Sequence, residues 1–200
     1  MAGERPKTRL AVDDDYPTLA GVLARAFYDD PFMVFALPDE ASRLDIARAM
    51  FVAQLDDVYA FTGVVQTTPD LAGAAIWTPP HVAELPAERT ASIRRRMGEL
   101  FGDRVPVISE ALQAIMSHRP EGDHWYLDFL GTDPDRQRQG VASSVLAPAL
   151  ARCDADGVAA TLWTTTEANL RFYSRRGFEV VADVQPPGAP RAWWMRRAPH

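Results

Sequence analysis

The sequence predicts an α/β fold in which one sheet is flanked by helices, and three observations carry that prediction. From residue 124 onward, short runs rich in β-branched and aromatic residues alternate with segments of helical period. Before them lie two long amphipathic stretches and a pair of strand-like runs. The 200 residues contain no repeat and no low-complexity linker, so one domain spanning 1–200 is expected. At that length folding buries roughly 70% of the surface of the unfolded chain, enough for a core without disulfides.

In chain order, KTRLAV (7–12) reads as a short opening strand. Asp13 is expected to cap a helix whose apolar residues Tyr16, Leu19, Ala20, Leu23, Ala26 and Phe27 recur at three- and four-residue steps. That helix should stop at the proline of DDPF (29–32). A second helix is expected from 39 to 60, with Leu44, Ala47, Met50, Phe51 and Leu55 on one face. Strands at 63–67 and 72–77 flank the turn TTPD, and 84–118 is expected to be helical in two pieces, broken near Gly102 and Pro106. HWYLDFLGT (124–132) is a strand, 140–157 a helix that Pro148 should kink, and 159–166 a strand. EANLRFYSRRG (167–177) is a helix closing on its glycine, and FEVVADV and RAWWMRR form a hairpin across QPPGAP. On pattern alone this β-α-β-α-β run implies a largely parallel sheet with a ligand site at strand ends.

Composition narrows the function classes. With 47% hydrophobic and 24% charged residues, this is the balance of a soluble globule, and a net charge of −6 gives no basic footprint for nucleic acid. MAGERPKTRL lacks the apolar stretch of a signal peptide, and no run of about 18 apolar residues occurs. A cytoplasmic location without membrane spans is therefore expected, which the single cysteine suits. That residue, Cys153, shares a helical stripe with Val145, Leu146, Ala149 and Leu150 and is expected in the core rather than as a nucleophile. His81, His118, His124 and His200 show no ligand spacing, and no metal is expected.

The informative segment is GTDPDRQRQGVASSVL (131–146). A strand ends, Pro134 sets a turn, and Gly140-Val141-Ala142 opens a helix whose first amide groups have no intrahelical partner. With the helix dipole they make an anion site that a side-chain-free Gly140 leaves open, although glycines also begin helices for no ligand's sake. Arg136 and Arg138 lie in the same loop, and Arg171, Arg175 and Arg176 in the later helix, either as a local patch for an anion or as solvated surface.

Here the chain resembles a known family. Gln137-Arg138-Gln139-Gly140-Val141-Ala142 is similar to the Q/R-x-x-G-x-G/A signature of GNAT acetyltransferases, which holds the pyrophosphate of acyl-CoA. Asn169-Leu170-Arg171-Phe172-Tyr173, followed by Gly177-Phe178, resembles the family's N-x-x-x-F/Y…G-F element. Within the superfamily the likeness is greatest to puromycin N-acetyltransferase-like proteins, an association with antibiotic resistance. It rests on Trp125-Tyr126-Leu127, PDRQ (134–137), VLAP (145–148), ADVQPP (182–187), Trp193 and Met195.

The resemblance implies a mixed, mostly antiparallel sheet of about six or seven strands with a splayed parallel central pair. It also implies acetyl-CoA as co-substrate and direct attack of a primary amine in a ternary complex. Leu130, Gly131 and Thr132 would pair with the pantetheine arm, and the Leu130 amide would polarise the thioester carbonyl. Gln137, Arg138, Gln139, Gly140, Val141, Ala142 and Ser143 would surround the pyrophosphate. Asn169 would contact the pantetheine, and Tyr173, on the same helix face, would protonate the leaving thiolate. Asp128, alternating with Leu130, is a candidate base, or else a site for the substrate's cation or for an arginine. Trp163 occupies the place where many relatives carry a glutamate.

The resemblance also implies an acceptor pocket made by the first two helices and the loop between them, here 28–40. Tyr28, Phe32 and Phe35 would wall it for a small amine with an apolar or aromatic body, with Asp29 or Asp30 drawing the cation; otherwise the rings are core and the aspartates a solvated helix end. Two alternatives stand beside transfer to a small amine: a catalytically silent acyl-CoA-binding module, and transfer to a protein or peptide amine. A nucleoside-triphosphate loop is disfavoured because no lysine follows Gly140. A monomer or homodimer is expected.

Overall fold

A computed structural model describes residues 6–200; the first five residues of the domain expected over 1–200 lie outside the described residues. Seven strands form one sheet in the order β1-β2-β3-β4-β5-β7-β6. They are β1 (Arg9–Leu10), β2 (Val64–Thr67), β3 (Gly73–Thr78), β4 (His124–Thr132), β5 (Ala159–Thr164), β6 (Glu179–Val184) and β7 (Ala192–Arg197). Every pairing is antiparallel except β4 with β5.

The mixed sheet implied by the family likeness is the one observed, and the largely parallel sheet implied by strand–helix alternation is not. Alternation misleads because the strand after the last helix, β6, does not return to β5. Instead β7 folds back from the hairpin and takes the place beside β5, leaving β6 at the edge.

Helices cover both faces. Along β3, Ala74 and Ile76 belong to one buried cluster and Ala75 and Trp77 to another, as alternation on a strand requires. Against the first pack α1 (Tyr16–Ala26) and α3 (Glu40–Gln54), through Leu19, Leu23 and Phe51. Met97, Phe101 and Ile108 of α5 (Ala87–Phe101) and α6 (Val105–Met116) join the same cluster. Against the second packs α7 (Val141–Asp156), through Val145, Leu146 and Cys153. The Cys153 thiol is fully buried there, and burial pushes its pKa up to about 11.

Several local expectations change. Strand β1 is only two residues long. Asp13 does not cap α1: the chain passes through a 3-10 turn, Asp13–Asp15, and the helix begins at Tyr16. Asp15 instead grips Arg9 at 2.6 and 2.9 Å and accepts the Val12 N–H at 2.8 Å, so the acidic run ties the turn to β1. Pro31 does not simply end a helix but opens α2 (Pro31–Ala36), sitting in the first turn where its missing N–H costs nothing. Leu44 is 40% exposed, whereas Ala47, Met50, Phe51 and Leu55 are buried. Past Gln54 the helix widens into a π-helical turn, Leu55–Tyr59, and ends in α4 (Ala60–Thr62). The last helix, α8 (Glu167–Ser174), follows β5. Among the described residues, no helix is long and apolar enough to cross a membrane, and no cluster of three or more His, Cys, Asp or Glu side chains could hold a metal ion.

Candidate active site

The parallel pair is short. β4 and β5 are in register only from His124–Tyr126 against Ala159–Thr161; beyond that point each continues, to Thr132 and Thr164, without meeting the other. The facing edges of residues 127–132 and 162–164 therefore border a gap, and two cavities meet there.

Within the gap β4 carries one residue too many. Ile76 of β3 lies opposite Phe129 and Trp77 opposite Leu127, so Asp128 is the extra residue of a β-bulge. Its carboxylate accepts the Thr78 hydroxyl at 2.7 Å and a hydrogen bond from the Tyr59 hydroxyl. Burial outweighs both bonds and pushes its pKa up to about 6. Its hydrogen-bond partners are hydroxyls rather than an arginine. Asp128 and Leu130 border the same cavity, as their spacing predicts, but so do Leu127 and Phe129, because strict alternation fails at the bulge.

On one side of the gap lies an open groove of about 670 Å³. Leu130, Gly131 and Thr132 form one bank; Gln137, Arg138, Gly140, Val141, Ala142 and Ser143 form its end; Asn169, Phe172 and Tyr173 of α8 form the other bank. Gly131 must be glycine, because a Cβ there would meet Leu23 Cδ2 at 2.7 Å and Ala26 Cβ at 3.1 Å: α1 packs directly on the strand backbone. Gly140 has φ of 87°, a left-handed conformation that disfavours side chains. The helical ladder of α7 begins with Ser144 N–H to Gly140 carbonyl at 3.0 Å, so the amides of Val141, Ala142 and Ser143 have no helical acceptor and are available to an anion. The Thr132 hydroxyl is buried with no hydrogen-bond partner among the described residues, a polar atom suited to a ligand in the groove.

Gln139 stands apart from this group. Its amide bonds the Asp135 carbonyl and its oxygen accepts from Arg136, so it braces the loop from behind. The arginines divide similarly. Arg138 borders the groove, whereas Arg136 is paired with Asp70 at 2.7 Å, and Arg171 and Arg175 are exposed. Arg176 stacks on the Phe172 ring at 3.6 Å and donates to the Ser143 hydroxyl, fixing α8 to the start of α7. Arg25, paired with Asp133, also borders the groove and was not anticipated from the sequence.

Asn169 and Tyr173 border both cavities. Asn169 donates to the Thr164 hydroxyl at 3.2 Å, and the buried Tyr173 phenol is raised above its ordinary pKa, chiefly by desolvation. The second cavity, about 360 Å³, runs from Asp128 and Leu130 between α2 and α3 to a wall of Met97 and Phe101 on α5 and Val105, Ile108 and Leu112 on α6.

Of the five residues named for an acceptor pocket, Phe32 and Asp30 line this cavity, and Tyr28, Phe35 and Asp29 do not. Because Pro31 starts a helix, Phe32, Met33 and Ala36 share the face toward the cavity and Phe35 turns away, packing behind Phe32 at 5.7 Å under Arg104. Tyr28 bonds the Glu40 carbonyl at 3.3 Å and lies beneath Arg43. Asp29 is exposed and borders the groove instead. It is Asp30 that turns inward, capping α2 through the Phe32 and Met33 amides at 2.9 and 3.2 Å and accepting the Thr165 and Thr166 hydroxyls, each at 3.2 Å. Burial raises its pKa. Trp163 lines the cavity and meets Phe32 edge-on at 5.4 Å. The α5–α6 wall, Tyr59 and Thr78 were missed. The apolar spacing of the wall matches that of any core stripe, and nothing in the sequence separates the two.

A model of the acetyltransferase (GNAT) family matches residues 25–178. An uncharacterized N-acetyltransferase of Schizosaccharomyces pombe is 25% identical over 194 residues, covering 89% of this chain and 74% of that protein. A Corynebacterium glutamicum structure described as histone acetyltransferase HPA2 and related acetyltransferase matches with a TM-score of 0.76 at 25% identity, covering 98% of each chain. Arylalkylamine N-acetyltransferase 2 from Aedes aegypti shares the fold, with a TM-score of 0.60 at 11% identity over 98% of this chain and 100% of that one.

Proposed function

Because the chain belongs to the acetyltransferase (GNAT) family and is an N-acetyltransferase, we propose that it transfers acetyl from acetyl-CoA to a primary amine of a small molecule, by direct attack in a ternary complex. The observation that carries this reading is the junction of the two cavities at the splay, where Asp128, Leu130 and Tyr173 converge. The donor's pyrophosphate takes the amides at the start of α7, and its pantetheine arm pairs with the free edge of β4 at 130–132. Gln137, Arg138, Val141 and Asn169 complete the groove.

The acceptor enters through the apolar cavity as the neutral amine. Its nitrogen attacks the thioester carbon, forming the C–N bond, while the oxygen gains charge against the Leu130 amide. Asp128 takes the proton that the nitrogen sheds, directly or through water. The C–S bond then breaks and Tyr173 protonates the departing thiolate. The products are the amide and CoA, and solvent returns the proton from Asp128 to Tyr173. Cys153 has no part in this sequence, since its thiol is fully buried in the α7 core and borders neither cavity.

The test is CoA release from acetyl-CoA over a panel of amines. The panel includes an aminonucleoside, because of the likeness to puromycin N-acetyltransferase-like proteins, and a basic peptide, because of the description of the Corynebacterium structure. Gly140→Glu should abolish acetyl-CoA binding by calorimetry while circular dichroism stays unchanged. Tight acetyl-CoA binding without amine-dependent CoA release would sink the catalytic reading and leave a silent binder, which the tryptophan at 163 would then explain.

A further inference from the structure

We infer that the acceptor is a monoamine with an apolar body, and that α5 and α6, inserted between β3 and β4, set this selectivity; the inference rests on the transfer reading above. Among the described residues lining the cavity of about 360 Å³, Asp30 and Asp128 alone are charged. Asp128 stands at the splay, beside the Leu130 amide, where the reacting nitrogen belongs. Asp30 has no capacity to spare: two backbone amides and two threonine hydroxyls already take its oxygens. From Asp128 the cavity runs away from the donor groove to Met97, Phe101, Ile108 and Leu112. The neutral polar groups Gln54 and Ser109 also border it, but no carboxylate stands at that distal end.

A nitrogen at the splay therefore finds a base, and an apolar chain finds methionines and rings. A second ammonium carried to the distal end would lie against apolar side chains with no carboxylate to pair with, which is unfavourable. At about 30 Å³ apiece, water's share of liquid volume, the space suits a body of roughly a dozen non-hydrogen atoms. Aminoglycosides and long polyamines carry more charge than this cavity can neutralise. An unbranched alkylamine or an arylalkylamine matches it.

The experiment compares kcat/KM for hexylamine, phenethylamine and hexamethylenediamine with acetyl-CoA as donor. Both monoamines should exceed the diamine by at least about 100-fold. Ser109→Asp, a change at an exposed helical position on the cavity margin, places a carboxylate near the distal end and should narrow that ratio by about tenfold or more. Leu112→Glu, deeper on the wall, should narrow it further. Equal use of the diamine by the wild type overturns the inference while leaving acetyl transfer intact. An unchanged ratio in Ser109→Asp overturns the role of the α5–α6 wall. Faster turnover of hexanoyl-CoA than acetyl-CoA, with no discrimination among the amines, would assign the cavity to the acyl chain instead. Absence of CoA release with every amine overturns the transfer reading and this inference with it.

Discussion

At Asp128 the strand has one residue more than its neighbour, and that surplus brings a carboxylate into a desolvated corner that an unbroken ladder would not provide. Thr78 and Tyr59 hold the group by hydroxyl hydrogen bonds, which favour the anion, but burial prevails and leaves it titrating near 6. A base with a pKa just below neutrality is ionised at working pH and still basic enough to take a proton. The sign follows directly. Below about pH 6 Asp128 is protonated and cannot accept, so kcat/KM for the amine should rise with pH through that value. Asp128→Asn should remove the limb and lower the rate by roughly 100-fold or more, as measured by a pH–rate profile with the variant beside the wild type. A limb near 6 that survives in Asp128→Asn would transfer the role to another group. From sequence, Asp128 was legible as a candidate because it stands two residues before Leu130. Its environment was not legible, since Tyr59 reaches it from a π-helical turn that no local pattern announces.

Helix α2 shows how one residue type can signal two opposite things. A proline after a helical stretch reads as a terminator, yet Pro31 is also well suited to a first turn, and the choice fell to Asp30. Its side chain caps the new helix and accepts two hydroxyls from the β5–α8 connection more than a hundred positions away, a tertiary term absent from any local window. Once 31–36 is helical, its period decides which of its rings faces the cavity, and Phe32 is chosen over Phe35. Phe32→Ala should therefore raise KM for the amine while leaving acetyl-CoA affinity unchanged. One ring withdrawn from a ligand is worth up to about 2–3 kcal/mol, on the order of 30- to 150-fold. Steady-state kinetics in both substrates checks this, and a matching loss in acetyl-CoA binding would show that the ring supports the fold instead. The segment that ends the groove, by contrast, was readable as a strand–turn–helix junction, because it is contiguous in sequence and has left-handed Gly140 at its centre.

Across the whole molecule, carboxylates pull stability in two directions as pH changes. Hydrogen bonds from Arg9, Arg25, Arg197 and Arg191 hold Asp15, Asp133, Asp154 and Asp183 below the ordinary carboxylate range, Asp154 at about 2. Their contribution is present above the unfolded value near 4 and fades as pH falls through the lowered values. Asp128 runs the other way: its contribution is complete below about 4 and is lost as pH rises through about 6. Scanning calorimetry should thus find Asp154→Asn less stable than the wild type at pH 7. Asp128→Asn, which keeps an acceptor for Thr78 without a buried charge, should be more stable there. Equal Tm values for all three proteins would contradict both assignments.

The order of the strands was less legible than their existence. Helices and strands are set by local period, but the placement of β7 between β5 and β6 depends on a hairpin folding back, with Trp194 buried and donating to the Ile115 carbonyl at 2.7 Å. The three-residue register between β4 and β5 has a mechanical meaning as well. Strands β1 to β4 form one plate and β5 to β7 another, and few ladder bonds join them along a seam that widens toward the reacting groups. A donor whose amides pair along residues 130–132 would work as a splint across that seam. Each catalytic cycle would then stiffen the joint between the plates on loading and loosen it when CoA departs, so that rigidity at the centre of the sheet is lent by the substrate.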